Sequence, residues 1–366
     1  MNMELNILYN KAIEGKEITC EEALFLYESA PLNELLNLAN KIRFIINPGN
    51  KVSWQIDRNV NYTNVCISGC KFCNFHCKIS RRDVSYITTP QEYRNKIDEL
   101  FRYGGDQLLL QGGLHPELDI IFYEELFRRL KRDYPTLKLN ALGPPEVFHI
   151  ARVSNLTIEE TLKRLIDAGL DTLPGAGAEI LSDRVRKLIS PAKPGVNAWV
   201  KVMKCAHNLG LGTTATMVYG HIETLKERFE HLILLRDIQK EKPEGAPGFR
   251  AFICWPMQTE GTKLAEMEQM SEITAPDAIE HLKMVAISRI VLNNIPHIQA
   301  SWLTIGMETA QLALHSGADD MGSIMIEENV VSSAGAENRT DAAGIQKSIK
   351  EAGFVPWLRN QDYSPR

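Results

Sequence analysis

The chain contains no apolar stretch long enough to cross a bilayer as a helix, so a membrane-spanning protein is not expected. Its first residues, Met1-Asn2-Met3-Glu4-Leu5, offer neither a basic region nor an apolar core, and no secretion signal is read there. No run of like charge occurs, and a net charge of −5 presents no basic surface to nucleic acid. Repeats and low-complexity segments are lacking too. Cysteine is sparse and unevenly placed: seven in 366 residues, an odd number, with three crowded together. That distribution argues against a disulfide framework and for a reducing compartment. The expectation is a cytoplasmic protein. What is present, 44% hydrophobic and 24% charged residues, is the make-up of a globular enzyme. The length suits one large α/β barrel or two smaller domains.

Residues 1–45 read as helical. Leu8, Ala12 and Ile13 form an apolar stripe, Thr19-Cys20-Glu21-Glu22 is a capping box, and Leu32, Leu35, Leu36, Leu38 and Ala39 mark a third helix. These helices are expected to cover one end of the main domain. From about residue 50, strand-like runs alternate with helical patterns. The strands are placed at 107–111, 138–142, 171–173, 213–219, 249–255, 298–303 and 322–326, after a first one ending near Asn64. Three intervening helices open on capping boxes at Thr89, Thr157 and Thr224. Eight strands alternating with helices predict a parallel sheet closed as a (β/α)8 barrel, with an open doubly wound sheet as the alternative. The expected division is an N-terminal helical extension over 1–48 and a barrel with a C-terminal segment over 49–366.

The most informative stretch follows the first strand. Cys66, Cys70 and Cys73, spaced C-x3-C-x2-C, sit in one short loop and can face a common point. An iron–sulfur cube takes four ligands, so three cysteines leave one iron open to a non-protein ligand, and Phe72 supplies a flat apolar wall beside it. Cys77 lies four residues on, so the run also fits a zinc knuckle. Other strand ends carry distinctive groups: Gly112 and Gly113 in a Gln-Gly-Gly-Leu-His-Pro turn, Glu146, Glu179 and the pair His221 and Glu223. Paired glycines let a backbone approach a ligand closely, or simply make a turn. His115 is a possible proton carrier or a surface loop residue. His221 and Glu223, one residue apart, are candidates for acid–base work, while Trp255 and Trp302 either enclose a substrate or pack the barrel.

The cysteine spacing, with an aromatic residue before the last cysteine, resembles the radical S-adenosylmethionine (SAM) enzymes. Over Glu22 to Tyr363 the chain further resembles the dehypoxanthine futalosine cyclases (cyclic dehypoxanthinyl futalosine synthases) of menaquinone formation. The match includes Asp57–Cys66, Gln111–Pro116, Ser154–Pro191, Thr213–Thr224 and, most tellingly, Gly322–Ser332. It departs at Asn74 and Cys77 and at Met257-Gln258-Thr259. The resemblance implies a [4Fe-4S] cluster on Cys66, Cys70 and Cys73 whose open iron binds SAM. It implies that Gly112 and Gly113 meet the SAM amino group and Glu179 the SAM ribose. It implies dehypoxanthine futalosine as substrate, a 5′-deoxyadenosyl radical taking hydrogen from ribose C4′, and closure of the resulting radical onto the benzoate ring. A low-potential electron donor such as flavodoxin or ferredoxin is implied as partner, and His221 or Glu223 would take the final proton. Sister enzymes, aminofutalosine synthase and the deazaflavin (F0) synthase subunits, share the cysteine loop and remain the alternative, with a non-redox zinc barrel further off.

Overall fold

The structure, a computed structural model, describes residues 3–366; Met1 and Asn2, where the reading of the N-terminus begins, lie outside the described residues. Three helices lead: α1 (Met3–Ile13), α2 (Cys20–Ser29) and α3 (Leu32–Ile46). Strands β1 (Lys51–Gln55) and β2 (Asp57–Asn61) follow, then α4 (Pro90–Arg102), β3 (Gln107–Gln111), α5 (Ile120–Asp133) and β4 (Lys138–Ala141). Next come α6 (Pro144–Val153), α7 (Ile158–Ala168), β5 (Thr172–Leu173), α8 (Asp183–Ile189), α9 (Val196–Asn208) and β6 (Gly212–Tyr219). The chain continues through α10 (Leu225–Lys240), β7 (Gly248–Pro256), α11 (Ala278–Val291), β8 (His297–Gln299), α12 (Trp302–Ile305) and α13 (Met307–Leu314). It ends with β9 (Asp320–Ser323), α14 (Ala342–Glu351) and β10 (Val355–Leu358).

All ten strands pair in parallel, in the order β10-β1-β9-β8-β7-β6-β5-β4-β3-β2. β1 and β2 are one strand interrupted at Ile56. β1 pairs with β9, and β2 pairs with β3. β2 also bonds the segment after β9, through Asn59 N to Ile326 O at 3.0 Å and Ile326 N to Asp57 O at 3.2 Å. The sheet therefore curls until its first strand position meets its last, the expected barrel. Counting β1 and β2 as one position and setting β10 aside leaves eight.

The capping boxes form as expected: Thr19, Thr89, Thr157 and Thr224 each accept the N3 amide, and the N3 glutamate bonds back. Two strands differ from expectation. Pairing at 298–303 stops at Gln299, because Ser301 adopts φ 57° and opens α12. The last barrel strand begins at Asp320 and ends at Ser323, before the left-handed residues Met325 and Glu327. The N-terminal helices do not cap an end of the barrel. They lie on its flank, where Arg236 of α10 donates to Ile18 O, Cys20 Sγ to Lys226 O, and Asn293 beyond α11 to Gly15 O.

β10 was not expected. It adds to the lower part of β1, below the start of β3, and the tail after it closes the barrel floor. There Arg359 pairs with Asp320 at 2.7 Å, Tyr363 donates to the same carboxylate at 2.7 Å, and Gln107 donates to Gln361 at 3.0 Å. Among the described residues no helix is long and apolar enough to cross a membrane.

Candidate active site

The loops leaving the C-terminal strand ends enclose a cavity of about 460 Å³, within the usual range for small-molecule sites. Cys66, Cys70 and Cys73 all line it, with Phe72; Cys77 does not. The loop is held by its own backbone. Cys66 N donates to Cys77 O at 3.0 Å and Cys77 N to Asn64 O at 2.9 Å, so Cys77 braces the turn through its main chain. Asn64 in turn ties down 84–86 with both ends of its amide. The sulfurs are provided with donors: Leu114 N lies 3.2 Å from Cys66 Sγ, and Ser68 Oγ stands 2.8 Å from Cys66 Sγ and 3.4 Å from Cys70 Sγ. Burial raises the Cys70 thiol above its ordinary value, against the pull of Lys193.

No three His, Cys, Asp or Glu side chains among the described residues are grouped closely enough for one ion. A cube takes each thiolate at a separate iron corner, so its cysteines stand further apart than the ligands of one tetrahedral zinc. Three cavity thiols, with the fourth cysteine turned away, fit a cluster with one open corner.

The glycine turn sits against this loop. Gly113 N donates to Thr63 O at 2.9 Å, and a Cβ on Gly113 would lie 2.1 Å from Val65 O and 2.9 Å from Cys66 Cβ. Only glycine allows that approach. Gly112 N donates to Glu146 Oε1 at 3.0 Å, and Tyr62 donates to the same oxygen at 2.8 Å. Burial outweighs both bonds and raises the Glu146 carboxyl to about 7.

Glu179 also lines the cavity, in left-handed backbone at φ 43°, a costly conformation for a side-chain-bearing residue. Lys193 holds it at 2.6 Å and Arg186 at 3.4 Å. Burial opposes its ionisation, but these two cations prevail and keep the carboxyl below its ordinary value. Lys193 Nζ also stands 5.3 Å from the Phe72 ring centroid, joining the glutamate to the cysteine loop.

His221 and Glu223 are not brought into the cavity, which corrects the expectation of acid–base residues there. Glu223 is sealed behind the end of β6, accepting from Gly220 N (2.6 Å), His221 N (2.9 Å) and Arg228 Nε (2.7 Å). His221 Nδ1 lies 3.0 Å from the same carboxylate and Nε2 3.0 Å from Val218 O. Burial works against the charge on Glu223, but His221 and Arg228 outweigh it and hold the carboxyl far below the usual range. His115 is likewise buried away from the cavity, with Nδ1 accepting from Glu117 N at 3.1 Å. Trp255 and Trp302 do line it, beside Met325 and Gln258.

Two cavity residues were missed or undervalued in the sequence. Lys193 lies between Pro191 and Pro194, a rigid loop signal that carried no motif, and Glu146 was noted only as one strand-end carboxylate. Asn74, a departure from the family pattern, ties the mouth together by donating to Glu260 O at 3.0 Å and Ser333 O at 2.9 Å.

A barrel with three cysteines after its first strand position and a glycine pair after the next is the arrangement of a radical SAM enzyme. The radical SAM superfamily model matches residues 60–235, and a second model, described as the CofH/MqnC C-terminal region, matches residues 246–366. Among solved structures the fold is similar to methylornithine synthase (TM-score 0.70, 20% identity, 95% of this chain and 97% of that one). It is similar also to HydG, a maturase of the [FeFe]-hydrogenase (TM-score 0.74, 17% identity, 97% and 76%). The chain belongs to the radical SAM superfamily.

Within it, the chain belongs to the family of the cyclic dehypoxanthine futalosine synthases. It is 42% identical to the one from Streptomyces coelicolor, over 98% of this chain and 88% of that protein. It is 39% identical to the one from Halalkalibacterium halodurans, over 99% and 95%. A Methanosarcina mazei 5-amino-6-(D-ribitylamino)uracil--L-tyrosine 4-hydroxyphenyl transferase follows at 38%, over 96% and 90%.

Proposed function

We propose that this chain cyclises dehypoxanthine futalosine to cyclic dehypoxanthine futalosine, a step of menaquinone biosynthesis. The observation that carries the reading is identity of 42% and 39% to two synthases of that name along nearly the whole chain. Cys66, Cys70 and Cys73 would hold a [4Fe-4S] cluster, and SAM would complete it. Bound there and reduced by a donor such as flavodoxin or ferredoxin, they would supply the radical chemistry that takes hydrogen from ribose C4′.

The chain's own residues bind, orient and exclude water. Gly112 and Gly113 would bring backbone against the SAM amino group, and Glu146 braces that turn through Gly112 N. Lys193 and Arg186 fix the Glu179 carboxylate, which would meet the SAM ribose. Trp255, Trp302 and Met325 form an apolar wall against which the benzoate ring folds onto the sugar, so that ring closure becomes a matter of proximity in a dry site. His221 and Glu223 act from outside the cavity, by fixing the end of β6.

The Methanosarcina relative, at 38%, is close enough that substrate must be tested directly. Anaerobically reconstituted enzyme, SAM and dithionite are incubated with dehypoxanthine futalosine, or with 5-amino-6-(D-ribitylamino)uracil and tyrosine, and products are read by mass spectrometry. Cyclic product from the first mixture alone is expected. Coupled product from the second mixture alone would overturn the reading.

A further inference from the structure

The interior of a (β/α)8 barrel is ordinarily filled by Val, Ile and Leu. Here much of it is polar. Along each strand alternate residues point inward, and Asp57, Asn59, Asn140, Thr214, Thr216 and Gln299 all line the cavity below the cysteine loop. Some of these are engaged within the protein. Asp57 accepts from Ser323, Thr216 donates to Gly175 O at 2.7 Å, and Thr214 Oγ1 accepts from Gly175 N at 3.0 Å.

Three amides are not fully engaged. Asn59 is 5% exposed, makes no side-chain hydrogen bond among the described residues, and has its Oδ1 buried without a partner. Gln299 likewise makes none, and its amide occupies space that Gly322 (φ 74°) leaves open: a Cβ there would sit 3.0 Å from Gln299 Oε1. Asn140 Oδ1 accepts from Thr172 Oγ1 at 2.8 Å, which leaves Nδ2 free. Asn59, Leu109 and Asn140 stand in one register row across β2, β3 and β4, and Gln299 faces inward from β8. Of these, Asn59 Oδ1 is fully buried without a partner, which is costly unless a ligand or a rotated amide completes it, while Gln299 is half-buried at the cavity wall.

The chemistry of the floor selects the ligand. Its cation, Arg359, is already taken by Asp320, Gln55 and Asn360 O, so no free positive charge awaits a carboxylate or phosphate. Amides offer donors and acceptors side by side, and a hydroxyl both donates and accepts. We infer that Asn59, Asn140 and Gln299 form a subsite for the hydroxyl groups of a sugar or polyol portion of the substrate. In the cyclase this is the hydroxyl-bearing edge of the ribose, which would turn C4′ up toward the cysteine loop. The assignment rests on the proposed function for the identity of the sugar, but not for its chemical class.

The test uses reconstituted holoenzyme with SAM and measures substrate binding by calorimetry. Asn59→Leu and Gln299→Leu are each expected to weaken dehypoxanthine futalosine by about 10- to 100-fold, as for loss of hydrogen bonds to a buried polar partner. Asn59→Ser should recover part of that loss, while iron content and SAM affinity stay at wild-type values. A substrate analogue lacking the ribose 2-hydroxyl should bind the wild type more weakly, and removing either amide should then cost less than it does with the full substrate. Should the wild type bind substrate and deoxy analogue equally, the inference falls, whether or not the leucine variants fold. If the wild type instead binds 5-amino-6-(D-ribitylamino)uracil, with affinity lost in Asn59→Leu, the polyol subsite stands and the cyclase reading falls.

Discussion

At the scale of single residues, the cysteine loop separates three cavity-lining thiols, the proposed ligands, from one that braces the turn. Cys66, Cys70 and Cys73 line the cavity, whereas Cys77 exchanges backbone hydrogen bonds with Asn64 and Cys66. Alanine at any of the first three should abolish the cluster on reconstitution, and Cys77→Ala should keep it, as counted by iron analysis and absorption near 400 nm (roughly, for a four-iron cube). Loss in Cys77→Ala as complete as in Cys70→Ala would contradict the open-corner site. Gly113 behaves more severely than a ligand-facing turn: its added Cβ would strike Val65 O and Cys66 Cβ, so Gly113→Val should lose cluster as well as SAM binding. Glu146 supplies a pH signature. Its carboxyl, lifted to about 7, is neutral below that value and charged above it. Because the unfolded chain ionises this group at the ordinary carboxylate value near 4.5, its contribution to stability is full below that pH and is lost as pH rises from there through about 7. Infrared titration of the SAM-free enzyme should show a carboxylic-acid band that disappears near pH 7 and is missing in Glu146→Gln; a midpoint near the ordinary carboxylate value would contradict the burial argument. The cysteines and glycines were legible because their chemistry lies in local spacing. Lys193 carried no signal and Glu146 read only as a strand-end carboxylate, because their significance depends on which distant groups they meet.

At the scale of elements, the ends of β6 and β10 show how buried charge holds the site's frame. His221 and Glu223 looked catalytic because they leave a strand at the active face. What the sequence does not reveal is that Arg228, one turn into α10, folds back to claim the carboxylate and links it to Glu280 at 2.6 Å. Replacing Glu223 with Gln should therefore reduce 5′-deoxyadenosine and cyclic product together, through disturbance of the strand end. Intact 5′-deoxyadenosine formation with cyclic product lost would restore Glu223 to the chemistry. At the other end of the barrel, Arg359 is 3% exposed and neutralises Asp320. Arg359→Met leaves a buried carboxylate unpaired and should cost about 3–5 kcal/mol, measured as a fall in the denaturant midpoint. A change within 1 kcal/mol (roughly, the surface-pair range) would show that the tail contributes little. The capping boxes were readable because each is a four-residue pattern with a local bond. β10 escaped notice because Val355-Pro356-Trp357-Leu358 is short and earns its strand geometry only by pairing with β1.

At the scale of the whole molecule, the parallel barrel places chemistry-bearing loops at one end and a sealed, polar floor at the other. Closure through the interrupted first strand puts the cysteine loop beside the glycine turn, Glu146 and Glu179, so the groups proposed to hold SAM gather on neighbouring loops of one cavity. Alternation of strands and helices made this architecture legible; the polar interior was not, since period-2 patterning shows which residues face inward but not whether they meet core or cavity. In the proposed function this cavity directs a radical from SAM to ribose C4′ of dehypoxanthine futalosine. Its most direct test is isotope transfer. Substrate deuterated at C4′ is turned over anaerobically with SAM and reductant, and the recovered 5′-deoxyadenosine is weighed by mass spectrometry. One deuterium in 5′-deoxyadenosine, together with cyclic product that has lost it, is the predicted result; cyclic product that forms while 5′-deoxyadenosine stays unlabelled would contradict the account.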